Sequence, residues 1–301
     1  MKRLRGLGMV VLVLVCFAVA LVVNLGPPQW LRDVWEDPAP VAAPETAGPV
    51  LGPGDLVDAE TPEGMHLTWR EEFTGRRGAK PDPARWNIET TTPDTGELER
   101  NTRKNVALDG KGRLVITARS GAQGYTSARI TTEGKFAPTY GRVTVRMKSP
   151  DGKGLWPAFW LLGADHMTNP WPASGEIDVM ERRGDLTDRY YSTVQGPGYS
   201  GVGISKQYAP GRKVAFSSRF HVFGVDWTPT ALTFMIDGKA VHTVDKASVP
   251  GEWVFDHPFF LVLNLAVGGP FPGEPTEATP FPAKMVVDYI RAYSFDIDPA
   301  T

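Results

Sequence analysis

The chain has 301 residues, of which 42% are apolar and 22% are charged, values typical of a globular core beneath a soluble surface. The formal net charge is -2 and no basic stripe runs through the body of the chain, which argues against a nucleic-acid-binding protein. A single cysteine, Cys16, excludes an intramolecular disulfide and therefore a disulfide-stabilised scaffold.

Residues 1–25 are predicted to direct the chain to a membrane. Three basic side chains within the first five residues precede an uncharged, largely apolar run of about 20 residues. Such a run is long enough to cross a hydrocarbon core of about 30 Å as a helix. The positive flank predicts that the N-terminus stays in the cytoplasm and that everything after the helix is exported.

Two outcomes stay open for this segment. It is either an uncleaved signal anchor or a signal peptide cleaved after Ala18-Val19-Ala20, which has the small-x-small pattern of a cleavage site. The apolar run continues past that site, which favours the anchor. Lipid attachment at Cys16 is disfavoured because Val15 precedes it. The predicted location is therefore the cell surface, or the extracellular space if the segment is cleaved.

Residues 26–63 are rich in Pro, Ala and Gly. A segment of this composition cannot bury enough apolar surface to fold alone, so we predict a semi-extended linker. It would hold the following domain away from the membrane.

Residues 64–301 are predicted to form one all-β domain, because their apolar pattern has a period of two rather than 3.6. Asp237-Gly238 lies between two alternating runs, a strong signal for a β-hairpin. The number of strands and turns predicts a β sandwich or jelly roll. The clearest strand segments are 112–119, 140–149, 220–227, 232–244, 259–267 and 284–293.

The sequence GEIDVME carries three carboxylates at strand spacing. Glu176 and Asp178 are two residues apart, so in a strand their side chains leave the same face. Regular alternation would place Glu181 on the opposite face, but a one-residue bulge at Val179-Met180 would return it. The spacing therefore predicts three carboxylates along one face of a bulged strand.

Such a row suits cleavage of a glycosidic bond with retention, which needs a nucleophilic carboxylate and a carboxylic acid about 5–5.5 Å apart. Like charges close together raise the pKa of at least one member. Asp178 between the two glutamates would thus help to keep one acid protonated near neutral pH. Two alternatives are a solvated face of an edge strand and a calcium site, since clustered carboxylates also bind hard cations.

Several segments together resemble glycoside hydrolase family 16, in particular its laminarinase-like endo-β-1,3-glucanases. The resemblance covers about residues 65 to 295 and includes WPAFWLLG, GEIDVME, LVLNLAVGGPFPG and KMVVDYIRAYS. It implies a β-jelly roll, concanavalin-like, with a substrate cleft across its concave sheet. Glu176 is similar to the family nucleophile, Glu181 to the acid/base and Asp178 to the assisting residue between them. Met180 marks the bulged, laminarinase-like version.

The resemblance also implies five substrate-binding residues. Trp171 is similar to the aromatic that borders the reacting sugar, with a core role as the alternative. Trp156 and Trp160 share one strand face, so that lining the cleft and packing under the sheet are both open. Arg129 is similar to a cleft arginine that hydrogen-bonds sugar hydroxyls, with a surface ion pair as the alternative. Gln195 stands where relatives commonly have a histidine; it can hydrogen-bond but cannot carry a proton.

Glu72 and Asp288 lie on the first and last predicted strands, where many relatives bind a structural calcium. A calcium ion there is a further implication of the resemblance, whereas the chemistry itself requires no cofactor. Residues 95–101 and 270–273 depart from the sequences that relatives often have on their cleft loops. These departures leave the reaction intact but leave the glycan open.

The predicted function is that of a retaining glycoside hydrolase that cleaves internal β-1,3 bonds, or β-1,3/1,4 bonds, of a β-glucan such as laminarin. Alternatives are a transglycosylase, a hydrolase of another polysaccharide and a non-catalytic glycan-binding module. The predicted partners are the polysaccharide and, if the N-terminal helix is uncleaved, the membrane. The chain is expected to be a monomer.

Overall fold

The computed structural model describes residues 61–210 and 216–295, in which the only helical segments are two single 3-10 turns, Arg103–Asn105 and Lys246–Ser248. The all-β prediction is confirmed. In chain order the strands of the described residues are β1 (Met65–Glu71), β2 (Asn87–Ile88), β3 (Glu99–Asn101), β4 (Val106–Leu108), β5 (Leu114–Gly121), β6 (Gly124–Ser127), β7 (Arg129–Thr131), β8 (Gly141–Lys148), β9 (Leu155–Gly163), β10 (Glu176–Glu181), β11 (Tyr190–Gly196), β12 (Tyr199–Tyr208), β13 (His221–Trp227), β14 (Ala231–Ile236), β15 (Lys239–Asp245), β16 (Phe259–Val267) and β17 (Ala283–Phe295).

These strands form two sheets. The ten-stranded sheet has the order β15-β14-β13-β8-β17-β5-β6-β3, with β1 paired to β17 and β4 paired to β5. The seven-stranded sheet has the order β12-β11-β10-β9-β16-β7-β2. Apolar side chains from both sheets make up one buried cluster. The architecture is therefore a two-sheet β sandwich whose core lies between the sheets.

Strand β9 shows how the sequence divides the seven-stranded sheet into two faces. Leu155, Phe159 and Leu161 are fully buried, whereas Trp156 and Trp160 are partly exposed. Because side chains alternate between the faces of a strand, the even-numbered residues of β9 belong to the outward face. This outward face carries the polar side chains of the neighbouring strands.

The predicted hairpin at Asp237-Gly238 is confirmed, since these two residues connect β14 and β15. Both have positive φ angles, 48° and 78°. Two consecutive residues with positive φ form a type I′ turn, whose twist matches that of the flanking strands.

The predicted helix at 1–25 and all but the end of the linker at 26–63 lie outside the described residues. Within 61–210 and 216–295, no helix has the length and apolar character needed to cross a bilayer. The first strand of the described residues begins at Met65, and the boundaries of the three predicted segments stay predictions.

Candidate active site

Strand β10 contains the predicted bulge. Asp178 lies opposite Trp160 of β9, and Glu181 lies opposite Ala158. Three steps along β10 therefore match two steps along β9, and the extra residue lies within Val179-Met180, where the register shifts. Both side chains of this pair are fully buried. Glu181 consequently returns to the outward face that Glu176 and Asp178 share.

The carboxyl group of Glu176 lies at the centre of a set of hydrogen bonds. Nε2 of Gln195 donates to Oε1 of Glu176 at 2.7 Å. Burial raises the pKa of Glu176 to about 6, and hydrogen bonds from Asp178, Gln195 and Trp171, together with the positive charge of Arg129, oppose a larger rise. Glu176 is therefore mostly ionised at pH 7, as a nucleophile must be.

Glu181 has a different set of neighbours. The indole Nε1 of Trp156 donates to its Oε1 at 2.9 Å. Burial raises the pKa of Glu181 to about 8, the negative charge of Glu176 adds to the rise, and the indole hydrogen bond opposes it. Glu181 therefore keeps its proton at pH 7 and can donate it to a leaving group.

Asp178 is the most buried of the three, with 2% of its surface exposed. Burial raises its pKa well above the ordinary value, and the charges of Glu181 and Glu176 raise it further. A hydrogen bond between Asp178 and Glu176 stabilises the protonated form of Asp178 and the ionised form of Glu176. Asp178 thus acts as a proton-holding donor to the group beside it.

Arg129 and Trp160 form a stack on the outward face. The guanidinium of Arg129 lies 4.7 Å from the centre of the Trp160 ring and its Nε is 3.3 Å from the carboxylate of Glu89. Nε1 of Trp160 donates to Asn264 at 2.7 Å. One face of Trp160 is therefore covered by a cation, so that this ring supports Arg129 and is not open on that side to a sugar.

Trp156 belongs to an aromatic group beside Glu181. The ring centre of Phe271 is 5.2 Å from that of Trp156 and 5.2 Å from that of Tyr191. Phe271 is part of a loop whose sequence departs from that of many relatives. Trp171 lies on another loop, is 45% exposed, and reaches the Glu176 carboxylate. The predicted cleft residues Trp156, Trp160 and Trp171 thus all lie near the carboxylates.

Two acidic residues near Arg129 were not found from the sequence. Glu99 is 2% exposed and accepts a hydrogen bond from the backbone N–H of Val267 at 2.9 Å. Burial raises the pKa of Glu99 to about 7, and burial also raises the pKa of Glu89. Glu99 lies in β3, a strand of three residues, and so short a stretch of sequence does not indicate which side chains point inward.

The predicted calcium ligands are paired with arginines. Glu72 accepts hydrogen bonds from Arg291 at 2.9 Å and 3.3 Å, one on each carboxylate oxygen. Asp288 accepts from Arg146, and Arg113 lies 3.8 Å from its other oxygen. Within 61–210 and 216–295, no group of three or more His, Cys, Asp or Glu side chains could hold a metal. Guanidinium groups are thus the partners of both carboxylates in this structure, and the calcium site stays a prediction.

Comparison with known proteins agrees with this geometry. The model of the family described as "Glycosyl hydrolases family 16" matches residues 94–291. A beta-glucanase from Rhodothermus marinus is 35% identical over 244 residues, which cover 75% of this chain and 84% of the relative.

Solved structures give the same result at the level of the fold. An endo-β-1,3-glucanase from Pyrococcus furiosus is 44% identical with a TM-score of 0.73, and the match covers 77% of this chain and 95% of that one. The catalytic domain of an endo-1,3-β-glucanase (laminarinase) from Thermotoga petrophila RKU-1 is 43% identical with a TM-score of 0.72, and the match covers 77% of this chain and 99% of that one.

Proposed function

The chain belongs to glycosyl hydrolase family 16, and we propose that it hydrolyses internal β-1,3 bonds of a β-glucan with retention at the anomeric carbon. One observation carries this proposal. Glu176 and Glu181 share one face of a single strand, and the pKa of one lies at about 6 while that of the other lies at about 8. Between these values one carboxylate is charged and one acid is protonated, the pair that the reaction needs.

In the first step a carboxylate oxygen of Glu176 attacks the anomeric carbon. The bond from that carbon to the leaving sugar oxygen breaks, and Glu181 donates its proton to that oxygen. A covalent glycosyl-enzyme and a shortened glucan result. In the second step Glu181, now a carboxylate, takes a proton from water, whose oxygen attacks the same carbon and releases Glu176. Two inversions give net retention.

The surrounding residues have separate parts in this proposal. Asp178 donates a hydrogen bond that favours the ionised nucleophile. Trp171, exposed and in contact with Glu176, borders the reacting sugar. Arg129, whose guanidinium stacks on Trp160, contacts sugar hydroxyls. Because the relatives act on β-1,3-glucans, the substrate is a laminarin-like glucan.

Transglycosylation is a second candidate, favoured by the aromatic group of Trp156, Phe271 and Tyr191 next to Glu181. Trp156 and Phe271 are partly exposed, and the apolar surface that they offer beside the acid/base can pack against the ring of an acceptor sugar. An acceptor hydroxyl would then replace water in the second step. Products longer than the substrate, separated by chromatography, distinguish this activity from hydrolysis.

We also propose that the domain acts outside the cytoplasm, as the basic flank and the apolar run of residues 1–25 predict. A reporter enzyme that is active only after export, fused behind residue 63, tests this directly. An inactive reporter in cells that make the full-length fusion would contradict it.

The hydrolase proposal is tested on neutral glucans. We expect reducing ends from laminarin, weaker release from mixed-linkage β-1,3/1,4-glucan, and none from cellulose. An absence of release from every glucan by folded protein would contradict the proposal and favour a glycan-binding module.

Azide rescue then assigns the two carboxylates. Glu176→Ala should lose turnover and, with an activated aryl glucoside, yield an α-glycosyl azide, since azide replaces the nucleophile in a single inversion. Glu181→Ala should still form the glycosyl-enzyme, which azide opens to the β-glycosyl azide. Glu277→Ala, which removes an exposed carboxylate, is the control and should behave as wild type. Rescue at neither position would contradict the retaining mechanism.

A further inference from the structure

The side-chain amide of Gln195 makes two hydrogen bonds of opposite sense. Its Nε2 donates to Oε1 of Glu176 at 2.7 Å, and its Oε1 accepts from the backbone N–H of Gly201 at 2.9 Å. An ionised carboxylate can only accept and a backbone N–H can only donate. The orientation of the amide is therefore dictated by its two partners.

The fold places Gln195 for this purpose. Gln195 is the direct cross-strand partner of Glu176, so their side chains leave the same face of neighbouring strands. The pairing of β11 with β12 is irregular between Val194 and Gly196. The turn that follows brings the N–H of Gly201, whose φ is 86°, back over the Gln195 side chain.

Gly203 leaves the space that this side chain needs. It has a φ of 68°, and a Cβ there would lie 3.1 Å from Cγ of Gln195 and 2.5 Å from Cγ2 of Thr193. Distances this short force a displacement of neighbouring atoms. A glycine at 203 is thus required by the backbone conformation and by the close approach of Thr193 and of the Val194 carbonyl oxygen at 2.8 Å, and it also leaves room for Gln195.

We propose that Gln195 is a positioning residue, which fixes the carboxylate of the nucleophile Glu176 and stabilises its ionised form through a donor held in place by Gly201. This inference rests on the proposed function. It assigns Gln195 a part in arranging the reacting group, in place of the sugar contact suggested by the sequence, because both ends of its amide are already engaged within the protein.

Three charged or titratable groups face Glu176. They are Asp178 and Glu181 on its own strand and Arg129 from β7. Gln195 is the neutral group among them, and it cannot titrate. Its removal therefore withdraws a hydrogen bond from the ionised form of Glu176, and one from Asp178, without adding or removing a charged side chain.

The experiment compares Gln195→Leu and Gln195→Glu with wild type in the full chain. In Gln195→Leu the nucleophile loses a hydrogen bond to its charged form. The midpoint of the acidic limb of the kcat/KM profile should therefore shift to higher pH by about one unit. At pH 6 this lowers kcat several-fold while KM changes less than about twofold. Gln195→Glu keeps the shape of the side chain but places a carboxyl group against Glu176. The midpoint of its acidic limb should therefore lie at a still higher pH.

Ser205→Ala is the matched control. It removes the neighbouring cross-strand hydrogen bond of β11 and β12, between Thr193 and Ser205 at 2.9 Å, without touching a carboxylate. Its pH profile should equal that of wild type, and melting temperatures show whether each variant is folded.

The failure of this proposal is distinguishable from the failure of the proposed function. Gln195→Leu with a raised KM and an unmoved acidic limb would overturn the positioning role and show a sugar contact. If wild type hydrolyses no glucan, the proposed function fails, and the titration of the Glu176 carboxyl followed by 13C NMR still decides on Gln195. A midpoint that is the same in wild type and Gln195→Leu would overturn the proposal.

Discussion

At the scale of single residues, three carboxyl groups on one strand face differ because their partners differ. Glu176 receives hydrogen bonds from Gln195 and Asp178 and the attraction of Arg129. Glu181 receives one indole hydrogen bond and faces the negative charge of Glu176. Hydrogen bonds and a positive charge stabilise an anion, whereas burial and a negative neighbour destabilise it. The environment therefore assigns the nucleophile and the acid.

The pH dependence of hydrolysis follows from these two pKa values. Activity needs Glu176 ionised, so kcat/KM should fall as the pH drops below about 6. It also needs Glu181 protonated, so kcat/KM should fall as the pH rises above about 8. The expected profile is a bell centred near pH 7, measured by reducing-end release in buffers of constant ionic strength.

The variant Glu181→Gln tests which residue causes the alkaline limb of the kcat/KM profile. With an aryl glucoside whose leaving group needs no proton, this variant should keep the acidic limb and lose the alkaline one. An alkaline limb that persists in Glu181→Gln would show that another group supplies the proton.

Part of this site was predictable from the sequence. The spacing of Glu176, Asp178 and Glu181, together with the resemblance of the flanking segments, gave the set of three and their shared face. The hydrogen bond from the backbone N–H of Gly201 to Gln195 was not predictable, because it depends on the conformation of the irregular turn between β11 and β12. The inward position of Glu99 was hidden for a similar reason, since its partner, Val267, lies 168 residues away.

At the scale of elements, the bulge in β10 joins catalysis to stability. Regular alternation would bury either Val179 or Met180, but the bulge buries both, with 0% exposed. The same extra residue returns Glu181 to the outward face. The apolar contacts of Val179-Met180 with the core thus hold the acid in position.

Met180→Ala should therefore destabilise the domain by about 2–5 kcal/mol, the usual cost of a buried Met→Ala substitution, and should lower kcat because the bulge relaxes. Met167 is 78% exposed, so Met167→Ala should change the free energy of unfolding by less than about 0.5 kcal/mol. Urea denaturation measures the free energy of unfolding of the two variants. Similar losses in the two variants would show that Met180 does not anchor the bulge.

The long strands of the domain were predictable, whereas several short ones were not. Residues 259–267 were predicted as a strand and form β16, and the hairpin at Asp237-Gly238 joins β14 and β15. Strand β2 has two residues and β7 has three. So few residues show no alternation, and these strands exist because β16 offers an unpaired edge to β7 and β7 offers one to β2.

At the scale of the whole molecule, a net charge of -2 conceals an uneven distribution. Around Arg129, the outward face of the seven-stranded sheet and its rim carry Glu89, Glu133 and the ionised Glu176, whereas burial favours the protonated forms of Asp178 and Glu181. On the ten-stranded sheet, by contrast, basic side chains are paired with acidic ones: Arg142 with Asp226, Arg146 with Asp288 and Arg291 with Glu72. The candidate cleft therefore carries more carboxylates than cations, and its field repels anionic polymers.

A carboxymethylated β-1,3-glucan should consequently be a poorer substrate than the neutral polymer, with a KM about threefold to tenfold higher at low salt. The carboxymethyl groups also add bulk, but only the electrostatic part of the penalty responds to ionic strength. The penalty should shrink as salt is added, because the Debye length falls from about 30 Å at 0.01 M to about 10 Å at 0.1 M.

Glu133→Gln should reduce the penalty, since Glu133 lies on the acidic side near Glu89. Lys284→Glu, on the other side of the sandwich, changes the net charge more and should leave the penalty unchanged. A penalty that is independent of salt would mean that the bulk of the substituents, and not the acidic cleft, selects the neutral glucan.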